Sequence, residues 1–262
     1  MATKTLRLVS GAAAAVAAAL LVLPSAASSA HADRRLAVPI LMYHRIDYLR
    51  PALPEMTRRL TVDPDDFARQ MSWLKAHGFH ALTQRQLLGA LSGDRPLPAK
   101  PIVITFDDGY RDVLGKASPV IDRLGLHATA YVISGRLSGA DSSFLTVPEL
   151  RVLERRGVEV GSHTVTHAAL THLDDAHALA ELSASRRALE LAVGHSVPWF
   201  AYPYGAYDEH AVALVRRAGY QLAVTTRSGS CQHSGERLEL KRLEVLDTTG
   251  VAGLAAMLSE GC

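Results

Sequence analysis

From Val38 onward, short runs of apolar and β-branched residues alternate with longer stretches whose apolar positions recur at helical spacing. The short runs predict strands over 38–43, 79–82, 102–106, 128–133, 158–160, 199–202, 221–225 and 240–246. The longer stretches predict helices over 64–77, 83–92, 110–124, 147–156, 174–193, 208–218 and 251–258. End signals support them. Thr83 with Gln86, and Thr146 with Glu149, have capping-box spacing, while Gly78, Gly157 and Gly219 sit where helices stop. Strand followed by helix, repeated, predicts parallel strands covered by helices, as a barrel or a doubly wound sheet. No GxGxxG or GxxxxGK[ST] follows any strand, which counts against the nucleotide-binding versions.

The N-terminus breaks the pattern. Lys4 and Arg7 precede an apolar stretch over 8–23 rich in Ala, Leu and Val, and Ala30-His31-Ala32 then supplies a small-x-small site. This order predicts a secretory signal peptide over 1–32 and a single mature domain over 33–262 working outside the cytoplasm. The alternative is an uncleaved membrane anchor, for which the stretch is short of the ~20 apolar residues a bilayer span needs, so no membrane span is expected after processing. In an oxidising compartment, Cys231 and Cys262 are expected to pair, with two unpaired thiols the alternative.

Composition narrows the partners. The chain has 262 residues, 48% of them apolar, which argues against disorder. Removing residues 1–32 takes Lys4 and Arg7, and no acid, from 28 basic and 26 acidic residues, leaving the remainder formally neutral. With no clustered Lys or Arg either, no nucleic-acid partner is expected, and an uncharged ligand fits better.

Four strand ends carry candidate chemistry. Thr105-Phe106-Asp107-Asp108-Gly109 ends a buried-looking strand in two carboxylates, which reads either as a metal site or as a solvated, helix-capping turn. Ser162-His163-Thr164-Val165-Thr166-His167 places two imidazoles four apart just past another strand, a spacing that can share a cation. Phe200-Ala201-Tyr202-Pro203-Tyr204-Gly205 is a turn offering backbone N–H groups and aromatic surface. Leu41-Met42-Tyr43-His44 ends the first strand in a histidine. In a (β/α) barrel, chemistry gathers at the C-terminal strand ends, where all four clusters fall.

TFDDG, SHTVTH and FAYPYG, in this order, resemble the motifs of the polysaccharide deacetylases that share the NodB homology domain, carbohydrate esterase family 4. The resemblance covers nearly the whole of 33–262. It implies an α/β fold, a distorted (β/α) barrel with roughly seven to eight parallel strands, and a divalent metal, zinc by expectation. It implies Asp107 as catalytic base, Asp108, His163 and His167 as metal ligands, and the Tyr204 N–H as donor to the oxyanion. Two departures stand out. Ala201 occupies the place of an arginine that orients the base, for which Arg242 on the last strand is the candidate substitute. The late Leu-x-Leu-x-His motif is absent, and Leu41-Met42-Tyr43-His44 resembles it displaced to the front, as in the circularly permuted branch that includes poly-N-acetylglucosamine deacetylases. His44 is then the expected acid. Imidazole suits that step because histidine ordinarily titrates near neutral pH.

The expected activity is removal of N-acetyl groups from an N-acetylglucosamine-containing glycan by a secreted monomer. The alternatives are an O-acetyl esterase and a non-catalytic glycan binder. A glycoside hydrolase would need two carboxylates facing each other across the bond, and Asp107 and Asp108 are adjacent in sequence. Tyr48, Trp73, Phe144, Tyr202 and Tyr207 are candidates to line a sugar groove, with core packing the competing expectation.

Overall fold

The computed structural model describes residues 1–3, 5, 33–50, 52–259 and 262. Contacts divide the chain into residues 1–31 and 32–262, and every element below belongs to the second unit. The expected export segment, 1–32, lies almost entirely outside the described residues.

In chain order the strands are β1 (Arg35–Ala37), β2 (Ile40–Tyr43), β3 (Arg45–Ile46), β4 (Thr61–Val62), β5 (His80–Ala81) and β6 (Pro101–Phe106). They continue as β7 (Ala128–Val132), β8 (Val158–Ser162), β9 (Trp199–Ala201), β10 (Leu222–Ser228), β11 (Cys231–His233) and β12 (Leu240–Glu244). The helices are α1 (Glu55–Arg59), α2 (Pro64–Ala76), α3 (Gln84–Ser92), α4 (Ser118–Leu124), α5 (Val147–Arg155), α6 (Asp175–Val193), α7 (Glu209–Arg217) and α8 (Gly250–Ser259).

Seven strands close a ring in the order β2-β12-β10-β9-β8-β7-β6 and back to β2, every pairing parallel. β5 pairs with the first two residues of β6 while β7 pairs with its last two, so the eighth strand is an appendage to the ring. This is the distorted (β/α) barrel that the sequence predicts, with seven staves.

Both faces of each stave are covered, so β6 reads as a nearly continuous apolar run. Ile102, Ile104 and Phe106 pack outward with Phe67, Met71 and Leu74 of α2 and Ile121 of α4. Val103 turns the other way and meets Ile40, Tyr131, Ala201, Val224 and Leu240 from the other staves in the barrel interior. α3 contributes Leu87 and Leu91 to that interior cluster, and its Gln84 donates to Thr129 (3.2 Å) and Tyr131 (3.0 Å). Phe200 and Ala223 pack outward with Leu182 of α6 and Val215 of α7.

Strand parity therefore decides what reaches the barrel axis. Thr105 and Asp107 continue the parity of Val103, and Arg242 that of Leu240. Ala201 follows Trp199, and His163 follows Gly161. A side chain at Gly161 would stand 2.5 Å from the Tyr131 ring, so the interior leaves no space for one there.

Local signals hold where expected. The Gln86 N–H donates to the Thr83 hydroxyl (3.2 Å), and the Gln86 side chain accepts from the Thr83 N–H (2.9 Å). The helix predicted over 110–124 is shorter. Arg111 N–H donates to Ser143 O (2.8 Å), and Asp112 accepts from Ile46 N–H (3.0 Å) and Arg45 Nε (2.9 Å), so this stretch binds a distant loop and β3 instead of coiling. A single π-type turn, Val113–Ala117, leads into α4 at Pro119, which has no N–H to continue a regular ladder. Outside the barrel, β1 pairs antiparallel with β11, and Cys231 is disulfide-bonded to Cys262. No helix among the described residues is long and apolar enough to cross a membrane.

Candidate active site

The C-terminal ends of β2, β6, β8, β9 and β12 converge on two adjacent carboxylates in different surroundings. Asp107 faces the barrel axis and is met by Arg242, with Nη1 donating to Oδ1 (2.7 Å) and Nη2 to Oδ2 (2.6 Å). Arg242 is 1% exposed and is held in turn by Thr225 O (2.8 Å from Nε) and Thr105 Oγ1 (3.2 Å from Nη1). Thr105 donates its own proton to Leu41 O (2.7 Å), so every partner of the guanidinium is itself fixed. Burial pulls the Asp107 carboxyl upward, but the charge and paired hydrogen bonds of Arg242 prevail and hold it at about 2.

Asp108 turns away from this pair. Its Oδ1 lies 3.5 Å from His163 Nε2 and 3.4 Å from His167 Nε2. Burial pushes its carboxyl up to about 6, and the neighbouring Asp107 charge adds to the effect. Burial pushes His163 down to about 4 and lowers His167 as well, which favours neutral imidazoles. The His163 Nδ1 bonds Ala201 O (2.8 Å), fixing that nitrogen as the donor and leaving Nε2 with a lone pair aimed at Asp108.

One carboxylate oxygen and two imidazole nitrogens within 4.8 Å of one another are a donor set that fits a divalent cation. The two separations from Asp108 match the ~3.3 Å ligand–ligand edge expected for tetrahedral bonds of ~2.0 Å to zinc. Asp108 has no Arg or Lys partner among the described residues, so the cluster lacks the compensation that Asp107 enjoys. Asp108 (φ 71°), Thr164 (φ 63°), His167 (φ 66°) and Tyr204 (φ 60°) are all left-handed, a conformation that non-glycine residues adopt rarely and that clusters at functional sites.

His44 lies immediately past β2, whose Tyr43 pairs with Phe106, the residue just before the two carboxylates. Its Nδ1 is buried without a hydrogen-bond partner among the described residues. Tyr204 sits on the turn after β9 with its ring 4.4 Å from that of His167 and 69% exposed, a wall at the mouth of the site. Its N–H has no partner among the described residues. The turn needs Gly205, where φ is 65° and a Cβ would stand 1.9 Å from Thr226 Oγ1.

A model of the family described as polysaccharide deacetylase matches residues 94–223. YxkH of Bacillus subtilis (strain 168), itself named as a candidate polysaccharide deacetylase, is 30% identical over 218 residues, spanning 83% of this chain and 74% of that protein. The chain belongs to the polysaccharide deacetylase family. This makes it a hydrolase of acetyl groups on polysaccharide. The Streptococcus pyogenes deacetylase PplD, solved in complex with acetate, superimposes with a TM-score of 0.80 at 28% identity, covering 86% of this chain and 100% of that one. A poly-β-1,6-N-acetyl-D-glucosamine N-deacetylase of Staphylococcus aureus is 21% identical over 202 residues, 72% of this chain and 69% of that protein.

All seven sequence-predicted residues of this deacetylase lie at one end of the barrel. The structure adds Thr105, which strand parity two residues before Asp107 could have revealed. It also adds Glu181 of α6, whose distance along the chain gives no signal. Of the aromatic candidates, Tyr202 is fully buried, and Trp73 packs between His77 and Phe79 on the outer helical layer. Phe144 stacks on Tyr110 (5.0 Å) and Tyr207 lies against Tyr202 (5.5 Å). Tyr204 is the aromatic residue that stands exposed beside the cluster.

Proposed function

We propose that this deacetylase is a secreted, metal-dependent N-deacetylase of N-acetylglucosamine-containing polysaccharide, exported by residues 1–32 and acting as a monomer. The observation that carries the reading is the juxtaposition of the Arg242-clamped Asp107 with the Asp108–His163–His167 cluster. The Staphylococcus relative's named substrate and the neutral composition after residue 32 support an uncharged amino-sugar polymer.

Asp108, His163 and His167 would hold the cation, with zinc the best match to the donor set. A divalent cation held there would polarise the amide carbonyl and acidify the attacking water. Asp107 takes the water's proton. Arg242 keeps it ionised throughout the working range and fixes its direction, at the expense of basicity, so it can deprotonate only water that is already acidified. The Tyr204 N–H, without a partner among the described residues, donates to the oxygen that gains charge. His44, just past β2 where that strand pairs with the carboxylates' own strand, hands a proton to the departing amine, which cannot leave as an anion.

Acetate release from a panel of acetylated glycans tests this. We expect release from N-acetylglucosamine polymers with the metal-loaded protein, loss on chelation, and recovery on adding Zn2+. Asp107→Asn should lower turnover by a factor on the order of 100 or more, as losing a general base does. Undiminished release after verified removal of metal would refute the metal dependence. Release from O-acetylated glycans alone would reassign the substrate to an ester.

A further inference from the structure

We infer that Glu181 is a positioning residue that holds the His163–His167 loop in the shape required to bind metal, an inference resting on the metal-site reading above. Its carboxylate projects from α6 onto the loop from outside the barrel. Oε2 accepts from the N–H groups of Val165 (2.7 Å) and Thr166 (2.9 Å), and Oε1 accepts from Thr166 Oγ1 (2.8 Å).

The opposite edge of the loop is gripped by other residues. Ser134 N–H donates to Thr164 O (3.1 Å), and Gly135 N–H donates to Val165 O (2.9 Å). A Cβ at Gly135 would stand 2.5 Å from Val165 O, so the close approach requires glycine. The loop is clamped through its carbonyls on one edge and its N–H groups on the other.

His167 is where the clamp matters. His163 is aimed by its own bond to Ala201 O. Beyond the 3.4 Å approach to Asp108, the His167 ring nitrogens have no partner among the described residues. The direction of that ring is therefore set by its backbone together with its packing on the Tyr204 ring. That backbone is left-handed at both Thr164 and His167, a conformation that persists only where surrounding contacts over-determine it. Glu181 supplies three of those contacts. It acts on the metal through the loop, as outer partners of metal ligands do.

The test is Zn2+ affinity of the full chain, measured by competition with a chromophoric chelator, beside thermal unfolding of the metal-free protein. Glu181→Ala should weaken Zn2+ binding roughly 10- to 100-fold at temperatures where the protein remains folded. Glu181→Gln, whose amide oxygen can still accept both N–H groups, should stay close to wild type. Gly135→Ala, which pushes the loop from its other edge, should weaken binding as well. Wild-type affinity in Glu181→Ala overturns the proposal, and so does equal weakening in Glu181→Gln, because charge rather than loop shape would then matter. If Glu181→Ala does not fold, wild-type affinity in Gly135→Ala overturns it. A wild-type chain that takes no Zn2+ overturns the metal-site reading itself, and this proposal with it.

Discussion

Asp107 and Asp108 are neighbours in sequence, both largely buried, and displaced in opposite directions. Burial raises each carboxyl, but only Asp107 faces the axis where Arg242 of β12 waits. The left-handed turn at Asp108 then swings the next carboxylate toward the two imidazoles. Because Arg242 lowers the folded-state value of Asp107 from the ordinary 3.8 to about 2, the pair stabilises the fold above the unfolded titration, and that gain is lost as pH falls through about 2. Arg242→Lys keeps a charge but cannot form the two-pronged contact. It should lower turnover and move the acid limb of the kcat/KM profile to higher pH, because Asp107 is then held less firmly in its ionised form. A profile with an unmoved acid limb would show that Asp107 does not titrate in the reaction. The four residues of the paired motifs are legible in the sequence because each motif is a short contiguous run at a strand end. Arg242 is legible only through the alanine at position 201. The two positions face the same axis from β9 and β12, on either side of β10, and that proximity exists only once the sheet is assembled.

At the scale of elements, alternation and capping signals locate the seven staves and most helices, since both are consequences of local geometry. Thr83→Ala should cost about 1 kcal/mol of stability, read by denaturant unfolding, through loss of the cap on α3. Acetate release by the folded variant should be unchanged, since α3 reaches the barrel interior through Leu87, Leu91 and Gln84 and makes no contact with the carboxylates. What the sequence conceals is the non-local part. β1 and β11 are three residues each, too short to alternate, and pair from opposite ends of the described chain. The predicted helix over 110–124 fails at its start for a similar reason, because a distant loop recruits Arg111 and β3 recruits Asp112.

For the whole molecule, the Cys231–Cys262 bridge closes a segment with a sequence separation of 31, worth about 3–4 kcal/mol by loop entropy. Replacing both cysteines by serine should lower unfolding stability by up to that amount, measured in denaturant, while acetate release per folded molecule is retained. Loss of activity under folding conditions would mean that the bridge shapes the site as well as the termini. The ring closes where the first stave lies between the sixth strand and the last. Synthesis delivers Asp107 well before Arg242, and closure of so long a loop is entropically slow. Until β12 slots in beside β2, Asp107 has no guanidinium partner and nothing aims the proposed base. An unfinished chain thus lacks the partner of its proposed base, and the last strand to arrive is the one that supplies it.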